Sequence, residues 1–310
     1  MAADAVNTEN TPMQGLARLD GPQTSGRTFW QDVLRQLRRD WLTLLALVVL
    51  LSLTVICFAG PPVVEQVFKV DVEDASIRDR YKPPGAEHPL GTDHLGRDQL
   101  IRLLYGGRIS LMVAYSASLL SMTIGLLVGI VAGFLGGIVD DVLMWFITTL
   151  TAIPAIFLLL IATTIWEPSP EVLIVLLGLL GWIEIARLIR GQVLALKQQD
   201  YILAAQALGS GSGHLMTRHI LPNVLSIALI AVTINAGTLI LIESGLSFLG
   251  LGVRPPTPTW GNMLTDSRSY FARGVHLVIW PGAMITLTVL CFFLLGDGLR
   301  DALDPRKRRG

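Results

Sequence analysis

Residues with catalytic potential are few in this chain, and their spacing does not assemble a reaction centre. None of its four lysines, Lys69, Lys82, Lys197 and Lys307, follows a glycine and precedes a serine or threonine. That arrangement is what lets backbone amides and an ammonium meet nucleotide phosphates, so no ATP site is expected here. His214 and His219 share one loop and His88 and His94 another, without the cysteine or carboxylate spacing of a zinc centre. Asp93, Asp98, Asp140 and Asp141 read as loop or cap residues. No catalytic group, cofactor or metal is therefore expected on this chain.

The elements that carry these residues belong to a bilayer. Of 310 residues, 52% are hydrophobic and only 15% charged, whereas soluble chains run near ~25% charged. The 24 basic and 24 acidic side chains cancel, which argues against nucleic acid as a partner. The apolar fraction excludes a disordered chain, and two cysteines exclude a disulfide scaffold. Cys57 and Cys291 both fall in apolar runs and read as buried thiols.

Stretches of about 20 apolar residues cross the ~30 Å hydrocarbon layer as helices. Six are predicted, at 41–59, 108–137, 140–166, 172–190, 223–246 and 275–297, giving an all-α integral membrane protein. The fourth reaches spanning length only if its helix continues through Glu184, Arg187 and Arg190, whose long arms would reach the interface; a re-entrant segment is the alternative. Arg35, Arg38 and Arg39 before the first span, Arg187, Arg190, Lys197 and Arg218 around the fourth loop, and Arg300 with Arg306 to Arg309 at the end fall on one side if there are six spans. The positive-inside rule makes that side cytoplasmic, with both termini. Residues 1–40 then form a cytoplasmic tail with a short interfacial helix from about Phe29 to Asp40, and 298–310 a second tail. Segments 60–107 and 247–274 face outward, and 191–222 is a cytoplasmic loop. Forty residues before the first span make it a retained anchor and not a leader.

Gly125, Gly129, Gly133 and Gly137 recur every fourth residue in the second span, which offers one bare face to a neighbouring helix. Pro154 and Pro281 are expected to bend the third and sixth spans. In the loop DYILAAQALGSGSGHLMTRHILPN, residues 200–223, Asp200 suits a helix cap, and Tyr201, Ala204, Ala205 and Leu208 share a helical face. Gly209 suits the left-handed residue that ends the helix. Such a helix fits either a partner's groove or its own bundle. A gradient-driven carrier would carry acids at mid-span; Glu184 and Glu243 are the nearest, and both read as close to span ends.

This loop resembles the cytoplasmic coupling loop of bacterial ABC importer permeases, with Leu203, Ala204, Ala205, Gly209, Leu221 and Pro222 at the matching positions and Leu203 in place of the usual glutamate. HPLGTDHLGRDQLIRLLYGGRISL at 88–111, GLSFLGLGVRPPTPTWGNML at 245–264 and GDGLRDALDPR at 296–306 are similar to the second permease of the dipeptide and oligopeptide transport family. The resemblance implies the type I importer permease fold, with six spans. It also implies a homologous permease as heterodimer partner, two cytoplasmic ATP-binding subunits that use ATP and Mg, and an extracytoplasmic peptide-binding protein. By the same resemblance Asp200, Tyr201, Ala204, Ala205, Leu208 and Gly209 make the ATPase contact, and Pro222 ends that element and starts the fifth span. The outward residues Asp93, Gly96, Arg97, Asp98, Pro255, Pro256 and Trp260 are candidates for docking or gating. Related permeases carry dipeptides, longer peptides, glutathione or nickel complexes, and an ion-coupled carrier is the reading from another class.

Overall fold

A computed structural model describes residues 36–68, 72, 74–268 and 274–303. Most of the expected N-terminal tail with its surface helix, and Arg306 to Arg309, lie outside the described residues. The described chain is an all-α bundle whose main helices are α1 (Trp41–Phe68), α2 (Gln99–Leu135), α3 (Gly137–Thr151), α4 (Ala155–Ile165), α5 (Pro170–Lys197), α6 (Asp200–Ala207), α7 (Ser212–Phe248), α8 (Trp260–Arg268) and α9 (Val275–Leu303). Five of them, α1, α2, α5, α7 and α9, are long and apolar enough to cross a bilayer. A sixth crossing results if α3 and α4, bent by 78° at their junction, count as one.

Several of these helices run beyond the bounds expected for the spans. Helix α1 runs past the expected end at residue 59, through Pro61 and Pro62. Helix α2 begins at Gln99, well before residue 108, because Asp98 caps it: its Oδ1 accepts from the backbone amides of Leu100 at 2.8 Å and Ile101 at 3.2 Å. Helix α5 starts at Pro170, whose missing amide costs nothing in a first turn, with Ser169 as cap, and continues to Lys197. Pro154 coincides with the bend between α3 and α4, whereas α9 continues as helix through Pro281.

Helices α2 and α5 share the most extensive interhelical contact, and glycine sets its closeness. A Cβ on Gly125 would lie 2.7 Å from Ile185 Cβ, one on Gly129 2.7 Å from the Ala186 carbonyl, and one on Gly133 2.8 Å from Val193 Cβ. Helix α5 answers with Gly178 and Gly181, which receive Leu120 and Ser121 of α2. Gly137 does not belong to this row. It starts α3 after Gly136, both have positive φ (53° and 68°), and a Cβ at either would meet nothing within 4 Å. The fourth member of the expected repeat is thus a helix break, since two consecutive left-handed residues cannot extend an α-helix.

Helices α7 and α9 pack on each other, α7 also on α2, and α9 also on α1, so α2 is surrounded. The bundle is held by further fixed partners. Arg190 of α5 grips Asp140 of α3 through Nε and Nη2 at 2.5 and 2.6 Å, and Lys197 Nζ donates to the Phe134 carbonyl at 2.7 Å, covering the end of α2. Glu243 of α7, fully buried, accepts from Ser247 at 2.8 Å, Ser110 at 3.1 Å and Ser244 at 3.4 Å.

Replacing Gly129 with valine is expected to force α2 and α5 apart and to destabilise the bundle by about 1–3 kcal/mol or more. Gly137→Asn, which keeps a residue tolerant of positive φ in open space, should cost less. Thermal unfolding of both variants in detergent measures the difference.

Candidate functional site

Helix α6 carries the expected contact face at the end of α5. Gln199, not Asp200, is the cap residue, and Asp200 lies in the first turn, where its charge complements the helix N-terminus. At the other end the amides of Leu208, Gly209 and Ser210 return to the carbonyls of Ala204, Gln206 and Ala205 at 2.9–3.1 Å. Gly209 has φ of 84°, the left-handed turn that this closure requires. Tyr201, Ala204 and Leu208 are exposed and Ala205 is half-buried, with Leu208 reaching 89% exposure.

The side chain that fixes α6 to the bundle is Ile202, which the helical-face argument did not single out. It is fully buried in a cluster with Ile130 and Phe134 of α2, Ile189 and Val193 of α5, and Leu215 and Ile220 of α7. Leu203, the residue at the family's glutamate position, points outward and is 49% exposed. An inward Ile202 beside outward Tyr201, Leu203 and Leu208 gives a helix seated on its own bundle and apolar on the other side. The bundle-seated reading of the periodicity is met through Ile202, which lies off the face singled out from the sequence.

Pro222 does not start the fifth span. Helix α7 begins ten residues earlier at Ser212 and passes through the proline by widening at Met216–Ile220, where the Leu221 amide reaches back five residues to the Met216 carbonyl. A π turn of this kind removes the clash that the proline ring would make in a regular helix. It also gathers rings beside α6: His214 and His219 lie 5.9 Å apart edge to face, and Tyr201 of α6 lies 6.3 Å from His219.

The outward residues fall into two groups. Asp93, Gly96, Arg97 and Asp98 are buried, so they build the loop and do not present a docking surface. Asp93 Oδ1 accepts from the amides of Leu95 and Arg97 at 2.8 and 2.9 Å, and its Oδ2 from Arg97 Nε at 2.7 Å, with Arg102 Nε at 3.5 Å. Asp98 Oδ2 pairs with His88 Nδ1 at 2.9 Å. At the rim of this loop Lys82 Nζ sits 2.6 Å from Asp79, and its hydrogen bond holds the Asp79 carboxyl below the ordinary carboxylate range.

Trp260, expected at an interface, has no exposed surface. Its ring fills the slot left by Gly107, its Nε1 donates to the Leu103 carbonyl at 3.0 Å, and its amide donates to Ser110 Oγ at 3.2 Å. The adjacent Gly106–Gly107 pair was the signal for such a slot. Pro255 and Pro256 are exposed, next to Arg254, which pairs with Glu167 at 3.3 Å. Among the described residues no group of three or more His, Cys, Asp or Glu side chains could hold a metal ion.

Asp93→Asn is expected to take one counter-charge from the buried guanidinium groups of Arg97 and Arg102, at a cost of about 3–5 kcal/mol. A lowered unfolding temperature together with early proteolysis between residues 74 and 98 would report it.

Residues 125–309 match the family described as binding-protein-dependent transport system inner membrane component, and residues 28–84 match the N-terminal TM domain of oligopeptide transport permease C. The chain is 35% identical to the oligopeptide transport system permease protein OppC of Haemophilus influenzae over 98% of its own length and 97% of that protein's. It is 36% identical to the dipeptide transport system permease protein DppC of Bacillus subtilis over 94% and 90%, respectively. A putative peptide permease protein of Brucella suis shares 40% over 75% and 78%. With the spans and matches of this extent, the chain belongs to the family of binding-protein-dependent transport inner membrane components, as a permease subunit.

Proposed function

We propose that this chain forms half of the translocation pathway of an ATP-driven peptide importer with the type I permease fold. A homologous permease supplies the other half. Two ATP-binding subunits on the cytoplasmic side use ATP and Mg, and an extracytoplasmic binding protein delivers the cargo. Peptide as cargo follows the names of the relatives above; glutathione and nickel complexes are the cargo alternatives. The termini and α6 are cytoplasmic in this reading, supported by the arginines and lysines that flank the inner ends of the spans.

The observation that carries the proposal is α6 itself. Its two turns are welded to the bundle by Ile202, while Tyr201, Leu203 and Leu208 remain outward, and Leu208 has almost its whole surface free. An apolar face of this kind outside the membrane is unfavourable in water and favourable in a partner's groove. Because Ile202 shares a cluster with α2, α5 and α7, force applied to α6 would pass directly into three spans. Leu203 changes the chemistry of the contact, since an aliphatic side chain asks for an apolar counter-surface where a glutamate would ask for a basic one. The exposed Pro255 and Pro256 are the outward residues best placed to meet the binding protein.

Leu208→Asp should leave the unfolding temperature of the chain unchanged, because the residue is exposed, and should lower ATP-driven peptide uptake by at least about tenfold, because a carboxylate would enter an apolar groove. Unchanged uptake would refute the contact. Gly209→Val strains a left-handed position by about 1–2 kcal/mol and should impair uptake through the same element. Orientation is checked with Ala205→Cys, which should react with a membrane-impermeant maleimide only after the cytoplasmic side is opened. Reaction in intact cells would invert the topology and remove α6 from any ATPase.

A further inference from the structure

The register of α5 against α2 moves one acid from the edge of a span to its middle. Glu184 lies fourteen residues after Pro170 and thirteen before Lys197, about 20 Å from either end of α5 at ~1.5 Å per residue. The neighbouring Ile185 and Trp182 pack on Gly125, which is itself well inside the uncharged stretch of α2. Despite this depth the Glu184 side chain is 80% exposed, on a face that α2 does not cover. Arg187, 39% exposed, is beside it with Nη1 at 3.4 Å from Glu184 Oε1.

Lipid is an unsuitable neighbour for that face. A charged side chain at the bilayer centre costs at least about 2.5–3.5 kcal/mol, and such residues turn to a water-filled cavity or a partner. A second feature points the same way. Arg187 Nη2 donates to Thr151 Oγ1 at 2.9 Å, which puts the α3–α4 break beside the pair. All residues from 151 to 157 are exposed, so non-helical backbone is uncovered near the same depth. Irregular backbone is tolerated within the hydrocarbon region only when protein covers it or when it lines water. A charged pair and a helix break, each excluded from lipid for a different reason, therefore share one lining.

We propose that Glu184, with Arg187 and Thr151 at this break, is a mid-membrane cargo station that takes the α-ammonium of a peptide in transit. The proposal rests on the reading of this chain as a peptide permease, and it locates a cargo contact within it. Arg187 is engaged by both Thr151 and Glu184 and stays with the protein. Glu184 receives from it a single long hydrogen bond, and its carboxylate has acceptor capacity to spare. A peptide ammonium would add charge-assisted bonds there, and Arg187 keeps the carboxylate compensated once the cargo has left. An exposed, singly charged contact binds weakly, as transit requires, since a site that holds its cargo tightly does not release it.

The test uses the complete importer in vesicles, with the buried Cys57 and Cys291 replaced by alanine. Glu184→Cys should react with a charged, water-soluble methanethiosulfonate, and trialanine supplied during ATP turnover should slow that reaction. Val48→Cys, on the exposed side of α1, serves as the lipid-facing control and should not react. In the otherwise unaltered protein Glu184→Gln should lower trialanine uptake by about tenfold, the loss of one charge-assisted hydrogen bond, and Glu184→Asp should recover most of it. Wild-type uptake by Glu184→Gln would overturn the proposal, as would labelling of Glu184→Cys no faster than Val48→Cys. Release of the partner permease from Glu184→Gln on purification would overturn it too, by making the face a subunit contact. Absence of ATP-driven uptake by the unaltered complex would count against the importer reading alone, because the labelling arm still reports whether the face is wet.

Discussion

The contact between α2 and α5 is the constraint from which most of this structure follows. In lipid there is no hydrophobic gain in bringing two apolar helices together, so close packing must supply the attraction, and close packing needs bare backbone. Gly125, Gly129 and Gly133 provide it on one helix, Gly178 and Gly181 on the other. Interlocking glycines at successive turns admit a single register, because a slide of one residue along either helix would drive a side chain into backbone. That register decides the depth of every polar group on α5. It sets Arg190 opposite Asp140, Lys197 over the end of α2, and Glu184 at mid-span.

The two ends of α2, the inner and the outer one in the proposed orientation, are then organised by the same device, a large buried apolar side chain brought in by a connecting segment. At the inner end Ile202 carries α6 into the cluster that also holds Ile130 and Phe134. At the outer end Trp260 lies against Gly107, in contact with Ser110, whose hydroxyl donates to Glu243. A single helix of 37 residues thus links the seat of α6 to the loops at the other end of the bundle.

What could be read from the sequence was local or periodic. Uninterrupted apolar runs reveal the spans, a four-residue repeat reveals three packing glycines, and Gly209 marks its turn because few other residues suit a φ of 84°. What could not be read depends on the meeting of distant segments. Ile202 is one apolar residue among several in its helix, and only a cluster drawn from three other helices makes it the anchor. Trp260 looks like an interface residue until the slot beside Gly107 exists. Asp93 and Asp98 look like surface loop acids until the arginines and amides that surround them are assembled. Gly137 continues a spacing but not a helix, and spacing alone does not reveal a backbone turn.

The charges sort themselves by how their cost is met. Asp93, Asp98, Asp140 and Glu243 are all buried, and each accepts short hydrogen bonds from groups fixed in the same bundle. Such groups are structural, since their partners have no freedom to leave. Glu184 differs from these four in both respects, exposed and loosely held near the middle of α5. The apolar Leu203 and Leu208 on α6 are the reverse case, aliphatic side chains left exposed on a short helix between two spans. Each is the wrong side chain for the isolated chain and the right one for an assembly. The single subunit is therefore marked, by the placement of its least satisfied side chains, at the two places where it would be completed by what it works with.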